Sequence, residues 1–253
     1  MKKLFQTLCV LLAISSQTDA SPIQLDQDID SGKFLSFTQP TRNDSSAKYL
    51  AKLYNIKAFQ SAQIRQPYSE FEQLYQKAIT GQAELETLSE QIALQSNSTL
   101  FSSGVKSKLR AIDKINSDLA GASEKITDLA RTSIVAKDVP TLMDAFTLFD
   151  QQTELLRIKN RFLAPVASGY RDLSLLIRLP KSQIVAEVQL HLEAFSAIKN
   201  GKEHENYEQI QQIERLQLTD NRALSEIELA AISKLRKESR QLYQQAWNQY
   251  LTA

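Results

Sequence analysis

The chain is poor in the residues that staple or break a fold. One residue of 253 is cysteine, Cys9, so no disulfide closes within the chain and stability has to come from a packed core. Six glycines and six prolines leave few tight turns and favour long helices. The two histidines, His191 and His204, are poor grounds for a zinc site. A net charge of +1 excludes a global field that would draw in nucleic acid or an anionic membrane. No specific DNA binding is expected, and any basic site must be local. Beyond the N-terminus no apolar run reaches the roughly 18 residues of a membrane-spanning helix, so no transmembrane segment is expected.

What is present divides along the chain. Lys2-Lys3, the apolar run Leu4 to Ile14 and Thr18-Asp19-Ala20 have the three parts of a signal peptide, residues 1–20, cut near Ala20. The protein is thus expected to be exported, periplasmic or secreted. Residues 21–44 read as a polar leader and 45–100 as N-terminal helices, with Pro67 opening the longer one. A core of 101–215 follows, then a C-terminal helix at 216–253. Within the core, Val105 to Leu119 reads as helix. The apolar period then falls from 3.6 to 2 over Arg131 to Ala136, Glu154 to Lys159, Arg171 to Arg178 and Ile184 to Leu190. Asp138 caps a helix from Val139 to Phe149, with Pro140 in its first turn. The fold class is α+β: a small mixed sheet of about four to five strands with a crossover helix, flanked by long N- and C-terminal helices.

Alternation sorts the strand residues by face. Leu173, Leu175, Ile177 and Leu179 share one face with Ala186, Val188 and Leu190. The other face would carry Arg157, Lys159, Asp172, Ser174, Arg178, Glu187, Gln189 and His191. A plainly solvated sheet face alternates in the same way. Upstream, Lys106, Arg110 and Lys114 recur every four residues, a helical stripe of cations with no acid among them, suited to a polyphosphate. Asp128 and Glu187 could share Mg²⁺, which takes one or two carboxylates plus substrate phosphates. The chain offers no nucleophile–base triad.

The basic stripe, Ile126-Thr127-Asp128-Leu129, Arg157-Ile158-Lys159, Gly169-Tyr170-Arg171 and Glu187-Val188-Gln189 follow one another in an order that resembles the synthetase domain of the RelA/SpoT alarmone enzymes, over roughly residues 100–210. The resemblance implies a nucleotidyltransferase-like fold that moves pyrophosphate from ATP to a hydroxyl of a guanine nucleotide or another acceptor, including RNA. It implies ATP phosphates on Lys106, Arg110, Lys114, Arg157 and Lys159. It places Mg²⁺ on Asp128 and Glu187, with Glu187 as proton acceptor, Gln189 orienting the acceptor, and Tyr170 stacking on its base beside Ser174 and His191. The family pattern has His, Arg, Lys and Asp where this chain has Ser174, His191, Val166 and Asn160, so an altered acceptor is expected. Export would make such an enzyme an effector or toxin acting in another cell. Two other readings remain: a non-catalytic nucleotide- or phosphate-binding module of the same fold, and a helical interaction protein using residues 68–97 and 224–251.

Overall fold

The computed structural model describes residues 44–252; the expected signal peptide, and all of the leader before Asp44, lie outside them. Helix α1 (Asp44–Asn55) leads to the short strand β1 (Phe59–Gln60) and the long α2 (Phe71–Gln95). Then come β2 (Thr99–Phe101), α3 (Lys108–Asp118), a 3₁₀ turn, β3 (Ala130–Ala136), α4 (Val139–Gln152), β4 (Glu154–Asn160), β5 (Leu173–Arg178) and β6 (Val185–Leu192). Helices α5 (Glu193–Asn200), α6 (Lys202–Asp220) and α7 (Glu226–Thr252) finish the chain. The architecture is α+β, with the four expected strands as the centre of a six-stranded mixed sheet. The two short strands that alternation does not mark, β1 and β2, close its edges.

Local chemistry sets the ends of the elements. Asp138 accepts from the Thr141 amide at 2.8 Å and Pro140 needs no partner in the first turn, so α4 starts where the sequence places it. α2 starts at Phe71 rather than at Pro67, because the Glu70 carboxylate caps it by accepting from the amides of Glu72 and Gln73. Leu74, Ala78, Gly81, Leu85 and Ile92 form its buried stripe. Gly81 allows a close approach there: a Cβ would stand 3.1 Å from the Ile184 side chain, tighter than ordinary contact. Glu84, one turn on, accepts from the amides of Lys181 and Ser182 at 2.8 Å and ties the β5–β6 loop to α2.

The strand order is β1-β4-β5-β6-β3-β2. β3 lies parallel to β6, and α4 carries the chain across to β4. One sheet face packs Ile134, Leu173, Leu175, Ile177, Val188 and Leu190 against α2 and α4. A register shift between Leu155 and Arg157 breaks the alternation of β4: Leu156 turns away from the core face of Ile158 and packs with Leu176, Val185 and Ile64 in a second apolar cluster. At one end of the sheet Phe162, Phe195, Tyr243 and Trp247 form an aromatic cluster that seats α7.

Asn160, at the end of β4, holds this end together. Its amide donates to the carbonyls of Leu53 (2.7 Å) and Ile56 (3.1 Å), closing α1 on the sheet. Its oxygen accepts from the amides of Phe162 (3.1 Å) and Leu163 (3.2 Å). Truncation strands several buried backbone groups at once. Asn160→Ala should therefore lower unfolding stability by about 2–4 kcal/mol, read as a lower urea midpoint at unchanged slope. A loss under half a kilocalorie would show that α1 docks by its apolar contacts alone.

Candidate active site

The second face of the sheet is polar where the strands meet. Register places Arg157, Leu176, Glu187 and Arg131 in one row across β4, β5, β6 and β3. The next row is Lys159, Ser174, Gln189 and Ser133. Paired residues project to the same side, so these side chains border one surface. Arg157 and Lys159 carry no hydrogen bond or ion pair to an acidic group among the described residues, and Arg157 Nε is buried without an acceptor. Burial and the neighbouring guanidinium of Arg161 both push the Arg157 guanidinium below its ordinary range, against Glu187 and Asp128, which favour its charge. Lys159 is lowered by burial and by Arg157 and Arg161. Like charges gathered this way, with no acid spent on them, describe an anion site.

Glu187 sits among them without an ion pair among the described residues. Its Oε1 accepts from Gln189 Nε2 at 3.2 Å and from Ser174 Oγ at 3.5 Å, a long contact. Gln189 is held in turn: Lys199 Nζ donates to its Oε1 at 3.1 Å, and His191 Nε2 lies 3.3 Å from the same atom. The amide is thus occupied in orienting Glu187, where the resemblance implied that it would orient the acceptor.

The residues expected to hold the acceptor lie below the surface. Ser174 is fully buried, His191 is 2 % exposed and Tyr170 is 4 % exposed. The Tyr170 hydroxyl donates to Asp172 Oδ2 at 2.8 Å, while its ring meets Tyr243 of α7 edge-on at 5.8 Å and lies near His191, Arg161 and Lys199. The expected stacking surface is covered, because Gly169 (φ +85°) turns the chain directly beneath Arg240 and Tyr243. Burial, with Lys199 and Arg161 beside it, pushes His191 well below the ordinary range, so its ring is neutral. Arg161 is fixed by Asp172 at 2.6 Å. Asn160 and Val166 serve packing and capping.

The basic stripe also needs correction. α3 begins at Lys108, so Lys106 precedes the helix, and its side chain is 1 % exposed. Lys106 and Lys114 both donate to Asp128 Oδ2 at 2.9 Å, while Arg110 remains half-buried and unpaired among the described residues. The missing acid was Asp128 itself, more than ten positions downstream. Its Oδ1 is buried with no partner. No group of three or more metal-binding side chains occurs among the described residues. Asp128 and Glu187 both act on the charge of Arg157, and two carboxylates are the sparse protein ligation that Mg²⁺ takes. His204 pairs locally with Glu208 at 3.2 Å.

Burial alone would raise the Asp128 carboxyl, but Lys114 and Lys106 outweigh it and hold the group below the usual aspartate range. Its stabilising contribution is full above the unfolded value, about pH 4, and fades as pH falls through the lower folded value. Asp128→Ala should cost about 3–5 kcal/mol at neutral pH by stranding Lys106, and should flatten the acid limb of a stability–pH curve. An unchanged acid limb in urea titrations from pH 7 to 2.5 would remove Asp128 from that role.

No protein-family model matches the chain. A stretch of 67 residues is 36% identical to the (p)ppApp synthetase toxin Tas1 of Pseudomonas aeruginosa. That match covers 26% of this chain and 15% of the toxin's length. Among solved structures, the type VI effector Tas1 in complex with its immunity protein aligns with a TM-score of 0.51 at 21% identity, covering 69% of this chain and 94% of that one. A GTP pyrophosphokinase family protein from Streptococcus pneumoniae aligns with a TM-score of 0.50 at 16% identity, covering 72% and 93%. The chain thus has the fold of these two solved structures, the effector Tas1 and a GTP pyrophosphokinase family protein.

Proposed function

We propose that the chain is a nucleotide pyrophosphokinase, transferring the β,γ-pyrophosphate of ATP to a hydroxyl of a nucleotide or RNA. One observation carries the reading: Arg157 and Lys159 stand unpaired around an unpaired Glu187, on a fold shared with such enzymes. In the reaction the acceptor oxygen bonds to the β-phosphorus as the bond to the α-phosphate oxygen breaks, and AMP leaves. Glu187, aimed by Gln189 and Lys199, takes the hydroxyl proton. Arg157 and Lys159 hold the phosphates and balance the charge that develops on them. Lys106 and Lys114, paired with Asp128, would add positive charge beside the metal and phosphates. Asp128 through Oδ1, with Glu187, would hold Mg²⁺, which would supply charge neutralisation between the phosphates.

The toxin similar to this chain is named for making (p)ppApp, so adenine nucleotides join guanine nucleotides as acceptors to try. The signal-peptide pattern supports export and action as an effector in another cell. A dedicated inhibitor protein is then a reasonable partner, since the similar effector was solved with its immunity protein. The burial of Tyr170, Ser174 and His191 favours a second reading, a nucleotide-binding module without turnover.

Incubation with labelled ATP, Mg²⁺ and ATP, ADP, GDP, GTP or tRNA should release AMP. Glu187→Gln should slow release by about 10²–10⁴-fold, the range for losing a general base, and Asp128→Asn should abolish most of it. Nucleotide binding with no AMP from any acceptor would establish the module instead. Export predicts a mature N-terminus at Ser21 in intact-mass spectra of the extracytoplasmic fraction. Recovery of the protein with Met1 retained would exclude cleavage.

A further inference from the structure

Arg131 is a cation that neither the motif order nor the alternation assigned to the site. It occupies the first full turn of pleat in β3, directly beside Glu187 on β6 in the parallel register. Its side chain therefore shares the polar face with Glu187, on the side opposite Arg157. Two atoms of its guanidinium, Nε and Nη1, are buried with no hydrogen-bond partner among the described residues. It also forms no ion pair there, with Glu187 or with any other acid. A buried guanidinium with free donors is costly unless an acceptor arrives.

The main chain at this position is held with unusual care. β2 pairs with β3 only at Ser133, Ile134 and Val135, so the outer edge of Arg131 has no strand beside it. Gln82 of α2 takes the place of that strand. Its Oε1 accepts from the Arg131 amide at 2.8 Å and its Nε2 donates to the Arg131 carbonyl at 3.1 Å. The same amide also donates to Glu86 Oε1 at 2.8 Å and Ser102 Oγ at 3.1 Å, which fixes its own orientation. The backbone of Arg131 is thereby locked while its head group is left unsatisfied. That is the arrangement expected of a residue held ready for an anionic ligand.

We infer that Arg131 binds a nucleotide phosphate on the far side of Glu187 from Arg157 and Lys159, so that the carboxylate is bracketed by cations on both flanks. The planar fork suits a phosphate bidentately, which lysine reproduces only in part. The phosphate belongs either to the donor triphosphate or to the acceptor nucleotide, and binding experiments separate the two. The inference rests on the nucleotide-binding part of the proposed function and does not need turnover.

Titration calorimetry on the full chain with Mg²⁺ would compare ATP, GDP and adenosine for wild type, Arg131→Ala and Arg131→Lys. The alanine variant should bind ATP, GDP or both about tenfold or more weakly, the loss expected for a charge-assisted contact. Loss confined to ATP assigns the donor phosphates, and loss confined to GDP the acceptor. Adenosine affinity should stay within about twofold of wild type, and the lysine variant should regain part of the loss. Because the Gln82 clamp engages backbone only, neither variant should lower the unfolding midpoint below that of the wild type. Arg131→Ala affinities for ATP and GDP within about twofold of wild type would overturn the inference. So would an equal loss for adenosine, or a wild-type chain that binds neither nucleotide. A wild type that binds nucleotide through Arg131 yet releases no AMP would refute turnover alone and leave this inference standing.

Discussion

The parallel pairing of β3 with β6 is the constraint from which the site follows. These strands lie far apart in the chain, with α4, β4 and β5 between them, and pair in parallel. Once they do, the register is fixed residue by residue, and a slip of one position would move every polar side chain to the core face. The pairing sets Arg131 beside Glu187 and brings Asp128 to the mouth of the sheet, just before β3. Two glutamines finish what the strands leave open. Gln82 stands in for the missing neighbour of Arg131. Gln66 donates to the carbonyls of Ile126 and Val185 and accepts from the Val185 amide, joining the approach to β3 to the start of β6.

Charge on this face is then divided into two kinds. Asp172 is fully buried and satisfied by Arg161 and Tyr170, and Asp128 collects Lys106 and Lys114. These groups are paired, and they stabilise the fold as long as no partner is removed. Arg157, Lys159 and Arg131 are left without acids, and each lies next to another cation or to the single carboxylate Glu187. A sheet that only had to be soluble would show the first kind and scatter the second to solvent. Concentrating unpaired cations in half-buried positions raises the energy of the empty site, and an anion lowers it again.

Much of this was legible from alternation, since the residues facing the core on β5 and β6 follow a strict period of two. The Asp138 cap was legible too, because a cap is a local hydrogen bond. Lys106 was misplaced on a helix because spacing alone cannot say where the first turn begins, and its partner Asp128 lies beyond the helix end. Leu156 escapes the period of two because the bulge after Leu155 interrupts it. Arg131 escaped because it gains meaning only from its cross-strand neighbour. The burial of Tyr170 involves α7, which returns from the far end of the chain, and no local pattern records such a contact.

Burial gives a physical reason for the residues that stand where the RelA/SpoT pattern, which the sequence resembles, has others. Position 191, where the pattern has an arginine, is almost sealed from solvent and lies close to Lys199 and Arg161. A third permanent cation there would be buried against two others, with Asp172 already engaged. A neutral imidazole meets the same polar neighbours without that repulsion. Ser174, small and uncharged, likewise fits under Glu187 where a histidine ring would compete for space and charge. With these two changes the polar row beneath Glu187 becomes a buried support, running from Ser174 and Gln189 to His191 and Tyr170.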